Sequence, residues 1–282
     1  MEIFARDLEF VECPRWHDGA LWLSDMWAHT VYRFDDAGGR TAVHRFPDDE
    51  DPGGIGWLPD GRMLVAGMEH SVVYRIEDGT AHPHADVSHL APHGINDMIV
   101  TPDGTAYVTQ LGFPMGGAPT GQPTVLVRVC PDGEVSVGAD QMLCPNGAAV
   151  TAAGDTLVVA ESAGRRLSRF SIKNGELVDR THVPLTPRSG EALVAPDGIC
   201  LDERGDVWVA DPWGRRILHV GPGGVDQQID VEDIPLACVL GGDDRRTLFV
   251  CMNTVAFKRD RHAEPTGSIV QLPVEVPGTG RP

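Results

Sequence analysis

WLPDGRMLVAG at residues 57–67 and VTPDGTAYVTQ at residues 100–110 follow one plan: an Asp-Gly turn leads into a short apolar run. The plan recurs along the chain. WHDGALWLSD (16–25), VTAAGDTLVVAES (150–162), LDERGDVWVAD (201–211) and LGGDDRRTLFVCM (240–252) are further copies. Five carry a turn glycine, namely Gly19, Gly61, Gly104, Gly154 and Gly205; in the sixth, Arg246 takes that place. The spacings are 42, 43, 50, 51 and 41 residues. A period in the low forties is that of a four-stranded propeller blade.

A second strand follows each copy, as in TVYRFDDAGG (30–39) and SVVYRIEDG (71–79). Asp-Gly and Gly-Gly pairs supply the positive φ that tight hairpins need. Helical periodicity is absent. The expected fold is all-β: a six-bladed β-propeller of four-stranded antiparallel blades around a central channel. Open sheet edges invite mispairing, so the ring must close. Glu2 to Leu8 is the candidate closing strand, against residues near Ile269 to Val276. The domain is expected to span 1–276 and to leave a loose tail over 277–282.

The chain has 282 residues, 23 basic against 41 acidic, for a net charge of −18. Such a surface repels nucleic acid and anionic membranes. No apolar run reaches the length of a membrane span, and MEIFARDLEF lacks the pattern of a secretion signal. Six scattered cysteines without metal-type spacing fit free thiols in a reducing cytoplasm. The sequence is silent on oligomeric state.

If the strands of a blade run A to D outward, the Asp-Gly turns share one face. The starts of all six A strands lie on the other, around the axis. About eight residues before each turn residue stand Glu12, Gly53, Asn96, Asn146, Asp197 and Cys238. Four of these bring oxygen donors to one level of one funnel. A hard divalent cation, Ca²⁺ or Mg²⁺, wants that donor set. Asn and Asp also cap turns, so each residue alone reads either way; the shared register favours the cation.

The strings ECPRW (12–16), GGIGWLPDGR (53–62), INDM (95–98), CPNGAAV (144–150), PDGICLDERGDVWVADP (196–212) and ACVLGGDDRRTLFVC (237–251) resemble the gluconolactonase and senescence-marker-protein family, which includes regucalcin. Their order across six blades carries the resemblance. It implies a metal-dependent hydrolase acting on a lactone or related ester. Glu12, Asn146 and Asp197 would hold one divalent ion, Ca²⁺ first, with Zn²⁺, Mn²⁺ or Mg²⁺ as alternatives. Asn96 would touch substrate or metal-bound water, and Asp197 would be the catalytic base. Sugar-lactone members often carry an arginine two residues before the INDM asparagine. Here that position is Gly94, which points to a small-molecule substrate more apolar than a sugar lactone.

An apolar rim of Met26, Trp27, Met68, Phe113, Met115, Trp213 and Met252 fits such a substrate, and Trp27, Met68, Phe113, Met115 and Trp213 are its expected contacts. Packing between blades is the competing role. The Gly- and Pro-rich insertion at 112–123 is either a lid or a plain surface loop. Asp25, Glu161 and Asp211 end B strands and are expected to fix the B-to-C loops. His29, His70 and His93 read as solvated loop residues, and Cys13 and Cys144 as small buried hydrophobes. Two other readings stay open. The same funnel could serve phosphotriester hydrolysis, cyclisation or isomerisation. Alternatively, the ring could bind calcium or a partner without turnover.

Overall fold

The computed structural model describes residues 1–114, 117, 121–187, 189–255 and 264–280. Among these, 24 strands form six four-stranded sheets, and no residue is helical. Every pairing within a blade is antiparallel, and the six sheets form the ring of a six-bladed β-propeller. No helix among the described residues is long and apolar enough to cross a membrane. The innermost strands of blades one to six are Val11–His17, Pro52–Trp57, Met98–Val100, Pro145–Val150, Ile199–Leu201 and Ile234–Gly241. Their turn glycines do adopt positive φ, between 68° and 88°. In blade six the residue in that conformation is Arg245, with φ 58°, one place before the position the repeat suggests.

The N-terminal strand Glu2–Leu8 closes the ring as the outermost strand of blade six. It pairs from Glu2 against Gln271 to Leu8 against Gly267. The expectation of a loose tail is corrected for residues 277–280. The Glu203 N–H donates to Pro277 O, the Gly278 N–H to Arg245 O, and the Thr279 N–H to Leu201 O, at 2.9, 2.8 and 3.3 Å. These bonds satisfy backbone groups at the A-to-B turns of blades five and six. Thr279 reaches the mouth of the channel opposite the funnel. Between it and Arg15 lies a cavity of about 30 Å³, lined also by Ile99, Ala148, Ile199 and Cys238.

The core lies between blades. Leu64, Val73, Met98, Val108 and Val127 bury their side chains between blades two and three, and Val158, Leu167, Ile199, Val209 and Leu218 between blades four and five. Inner strands approach closely where the sequence has glycine. A Cβ at Gly54 would fall 2.1 Å from Met98 N, and one at Gly198 2.3 Å from Ala237 Cβ. These glycines allow inter-blade hydrogen bonds: Gly54 N–H to Asn96 O, Gly147 N–H to Asp197 O and Gly198 N–H to Leu236 O, at 2.8, 3.3 and 2.9 Å.

Candidate metal centre

Those three bonds define the level of the site. In each, the glycine that follows Gly53, Asn146 or Asp197 donates to the carbonyl of that residue's equivalent in the next blade. The level therefore contains Asn96, Asp197 and, in blade six, Leu236. Cys238 is a correction: it lies two residues deeper, with its sulfur 3.8 Å from Cys200 Sγ. The eight-residue count slips there because the positive-φ residue is Arg245 and the inner strand reaches the level one residue later.

Four polar residues do meet at this level. The Asn96 Nδ2 donates to Asn146 Oδ1 at 2.8 Å. The Asn146 side chain also acts on the Asp197 carboxylate, favouring its charged form, and its Nδ2 lies 3.5 Å from Ser162 Oγ. Ser162 also donates to Pro196 O at 2.6 Å, bracing the residue ahead of Asp197. Glu12 completes the group from blade one. Burial pushes its carboxyl well above the usual range, and repulsion from Asp197 and Asp97 adds to this. Burial likewise pushes Asp197 up to about 8, with Asp97 and Asp211 adding and the Asn146 bond opposing.

Another buried carboxylate behaves in the opposite way. Burial alone would raise Glu161, but Arg166, Ser168 and the Leu143 N–H hold it below its usual value. Among the described residues, no ion pair to Glu12 or Asp197 is seen; Arg15, which bears on Glu12, is engaged by Asp97 at 2.6 Å. Two desolvated carboxylates with amide oxygens beside them are a donor set that fits a hard divalent cation.

Asp25, Glu161 and Asp211 do more than close the loops expected of them. They accept main-chain N–H groups of the incoming strands: Asp25 from Glu9 and Phe10, Glu161 from Leu143, Asp211 from Ala195. Each bond lies two or three residues ahead of Glu12, Asn146 or Asp197. Asp211 also reaches the loop beyond it, accepting from the Gly214 N–H at 3.3 Å.

The rim splits. Met26 and Met68 are buried with Phe10, Ile234 and Leu236 in one apolar cluster, and Trp27 packs half-buried against it, 4.4 Å from the Phe10 ring. Met252 is a packing residue between blades five and six. Phe113 is half-buried, and Trp213 is exposed at 66%. Met115 lies outside the described residues, as does part of the 112–123 insertion.

His29 is a correction, being buried against Asp51 at 2.8 Å and Glu50 O at 3.2 Å rather than solvated. His70 is half-exposed and raised by its bond to Glu50, while His93 is exposed. Cys13 and Cys144 are buried, and burial raises both thiols. Both also hold positive φ, 53° and 55°, an uncommon state for non-glycine residues and one that marks strained sites. Sequence reasoning missed Arg15, Asp97 and Ser162. For Ser162 a signal existed, because it directly follows Glu161 at the end of the blade-four B strand.

The profile of the SMP-30/gluconolactonase/LRE-like region matches residues 10–254. The 6-deoxy-6-sulfogluconolactonase of Pseudomonas putida is 25% identical over 96% of this chain and 93% of that protein. Among solved structures, a luciferin-regenerating enzyme superposes with a TM-score of 0.79 at 18% identity, covering 97% of this chain and 94% of its own. The calcium-binding protein regucalcin from Agrobacterium tumefaciens gives 0.79 at 17% identity, covering 100% and 98%.

Proposed function

This chain belongs to the SMP-30/gluconolactonase/LRE-like family, and we propose that it is a divalent-metal-dependent hydrolase that opens a lactone or related ester more apolar than a sugar lactone. One observation carries the reading: half-buried Glu12 and buried Asp197, both raised by desolvation, stand beside the Asn96–Asn146 amide pair. Glu12, Asn146 and Asp197 would hold the ion, with Asn96 facing substrate. Oxygen-only donors suit Ca²⁺, with Mg²⁺, Mn²⁺ or Zn²⁺ as alternatives for turnover. When bound, the cation supplies Lewis-acid polarisation of the ester carbonyl.

The residues of the chain do the rest. Asp197 takes the proton of the attacking water on a carboxylate oxygen and returns it to the ring oxygen as the C–O bond breaks. Asn146 favours the charged form of that carboxylate. Asn96 fixes the Asn146 oxygen. The relative from Pseudomonas putida, named a 6-deoxy-6-sulfogluconolactonase, supports the reaction class.

Two features support an apolar substrate. The wall of blades six, one and two is apolar, ending in Trp27. Gly94 has φ 95°, and a Cβ there would meet Met68 O at 2.5 Å, so the backbone leaves no place for the arginine of sugar-lactone members. Phe113, Met115 and Trp213 remain candidate contacts, and Met68 belongs to the apolar wall. A cytoplasmic setting belongs to the same proposal, on the six scattered thiols.

The test is a panel of alkyl and aryl lactones, gluconolactone, aryl esters and phosphotriesters, each with a series of divalent ions after chelation. The expected order in kcat/KM puts an alkyl or aryl lactone above gluconolactone. A clear preference for gluconolactone overturns the apolar reading. Turnover of phosphotriesters alone moves the site to a different chemistry. No turnover with tight calcium binding leaves a binding propeller.

A further inference from the structure

The inner strand of blade two begins Pro52, Gly53, Gly54, Ile55, Gly56. Its glycines let blade three lie directly on its backbone: a Cβ at Gly56 would fall 2.5 Å from Val100 Cγ2, and one at Gly54 2.8 Å from Asp97 Oδ1. Across this hollow, Arg15 of blade one reaches blade three. Its Nη2 donates to Asp97 Oδ1 at 2.6 Å and to Met98 O at 2.7 Å, and its Nη1 donates to Pro14 O at 2.9 Å. Arg15 is 5% exposed and Asp97 4%.

Burying an ion pair is seldom a gain in stability, because an apolar pair of the same size does as well. Fold stability therefore does not account for Arg15. Its position does. It lies three residues along the strand from Glu12, and Asp97 lies close enough to raise both Glu12 and Asp197. Asp211 is already paired with Arg216 at 2.7 Å. In formal charges, the carboxylates of Glu12, Asp97 and Asp197 and the guanidinium of Arg15 sum to −2, which one divalent ion cancels.

We propose that Arg15 is a positioning residue that acts through Asp97. By holding Asp97 across the glycine-lined second blade, it keeps that carboxylate off the ion and sets the charge of the centre at −2. The proposal rests on the metal-site reading above. A site with a third free carboxylate would bind the cation more tightly and blunt its polarising power, so affinity would rise while turnover fell.

The test is Ca²⁺ titration calorimetry on the chelator-stripped full chain at fixed ionic strength, with kcat and KM for the best lactone of the panel. Arg15→Met should bind Ca²⁺ more tightly by roughly a few hundredfold, the scale of one unit charge acting on a divalent ion about 10 Å away at an effective dielectric near 20. Its kcat should fall while KM holds. Asp97→Asn should shift affinity the other way by a similar factor. The double variant should return towards wild type, and Arg15→Lys should stay near it. A mere brace predicts the reverse for Arg15→Met: weaker binding, made worse in the double variant. If Arg15→Met does not fold, the double variant against Asp97→Asn decides, and failure to regain affinity overturns the proposal. Wild-type protein that binds no divalent ion sinks the metal reading itself; wild-type binding with a weakened Arg15→Met sinks only this inference.

Discussion

Asp197→Asn separates the two burdens carried by one carboxylate. In the metal-free protein Asp197 is 5% exposed and its pKa is raised from 3.8 to about 8, by burial first. The folded value lies above the unfolded one. The stability tied to this group is therefore complete below about pH 4 and is lost as pH rises towards 8. The loss runs at roughly 1.4 kcal/mol per pH unit, on the order of 5 kcal/mol across the window. Glu12 is raised as well, so its slope has the same sign. Asparagine keeps the shape without the charge. Chelated wild type should thus fall steadily in urea-unfolding stability from pH 5 to pH 8. Chelated Asp197→Asn should fall less and be the more stable protein at pH 8. Added Ca²⁺ should restore wild type far more than the variant, while turnover of the variant drops by roughly 10²–10⁴ for want of a base. Parallel pH profiles for the two chelated proteins would refute the claim that an uncompensated buried charge sits at Asp197. Wild-type turnover by the variant would remove it as the base.

Glu12→Gln should weaken Ca²⁺ binding and turnover together, read by calorimetry and kcat; full activity in strong chelator, with metal shown absent, counts against the mechanism. Glu161→Gln strips a fully buried carboxylate that Arg166 and Arg180 both contact at 2.9 Å. It should cost about 3–5 kcal/mol in denaturant unfolding and lower kcat, since the Leu143 N–H it holds leads into Asn146. Gly94→Arg should destabilise by about 1–3 kcal/mol, the usual cost of a strained backbone state, without raising kcat/KM for gluconolactone; a gain in that ratio shows that the strand can yield.

The repeat made the fold legible because turn chemistry is local: Gly19, Gly61, Gly104, Gly154 and Gly205 each mark a hairpin from a few neighbouring residues. Glu12, Asn96, Asn146 and Asp197 could be found for the same reason, as a fixed offset from those turns. The offset misled in blade six, where Cys238 was expected and Leu236 stands, because one extra residue in a strand leaves no trace in composition. His29 looked like a loop residue until Asp51 closed over it. The Arg15–Asp97 pair was out of reach altogether. It joins positions 82 residues apart and passes over blade two, and only the arrangement in space shows that Gly54 leaves room for the Asp97 carboxylate.

The ring assigns one residue per blade to the level of the site, and the choices divide the funnel. Blades three, four and five offer Asn96, Asn146 and Asp197. Blades two and six offer Gly53 and Leu236, so on either side of Glu12 no polar side chain rises from that level. Met68 fills the space left by Gly53, its Cγ 3.0 Å from where a Cβ would stand, and joins Phe10, Met26 and Leu236 beneath Trp27. An ester bound here would turn its carbonyl towards the polar arc and its substituent towards Trp27. Each hydroxyl on that substituent would lose its water against an apolar wall, at about 1–3 kcal/mol apiece. A sugar ring carries several, while an alkyl or aryl group carries none and gains from the same burial. The place of Asp97 beside Arg15 and the apolar wall flanking Glu12 both depend on glycines of blade two: a Cβ at Gly54 would meet Asp97 Oδ1 at 2.8 Å, and one at Gly53 would meet Met68 Cγ at 3.0 Å. Gly53→Asn would test that dependence: its Cβ would meet Asn96 O at 2.2 Å, so it should disturb Ca²⁺ affinity and alkyl-lactone kcat/KM together. A variant that folds and shifts neither would show that the hollow in blade two has no part in the site.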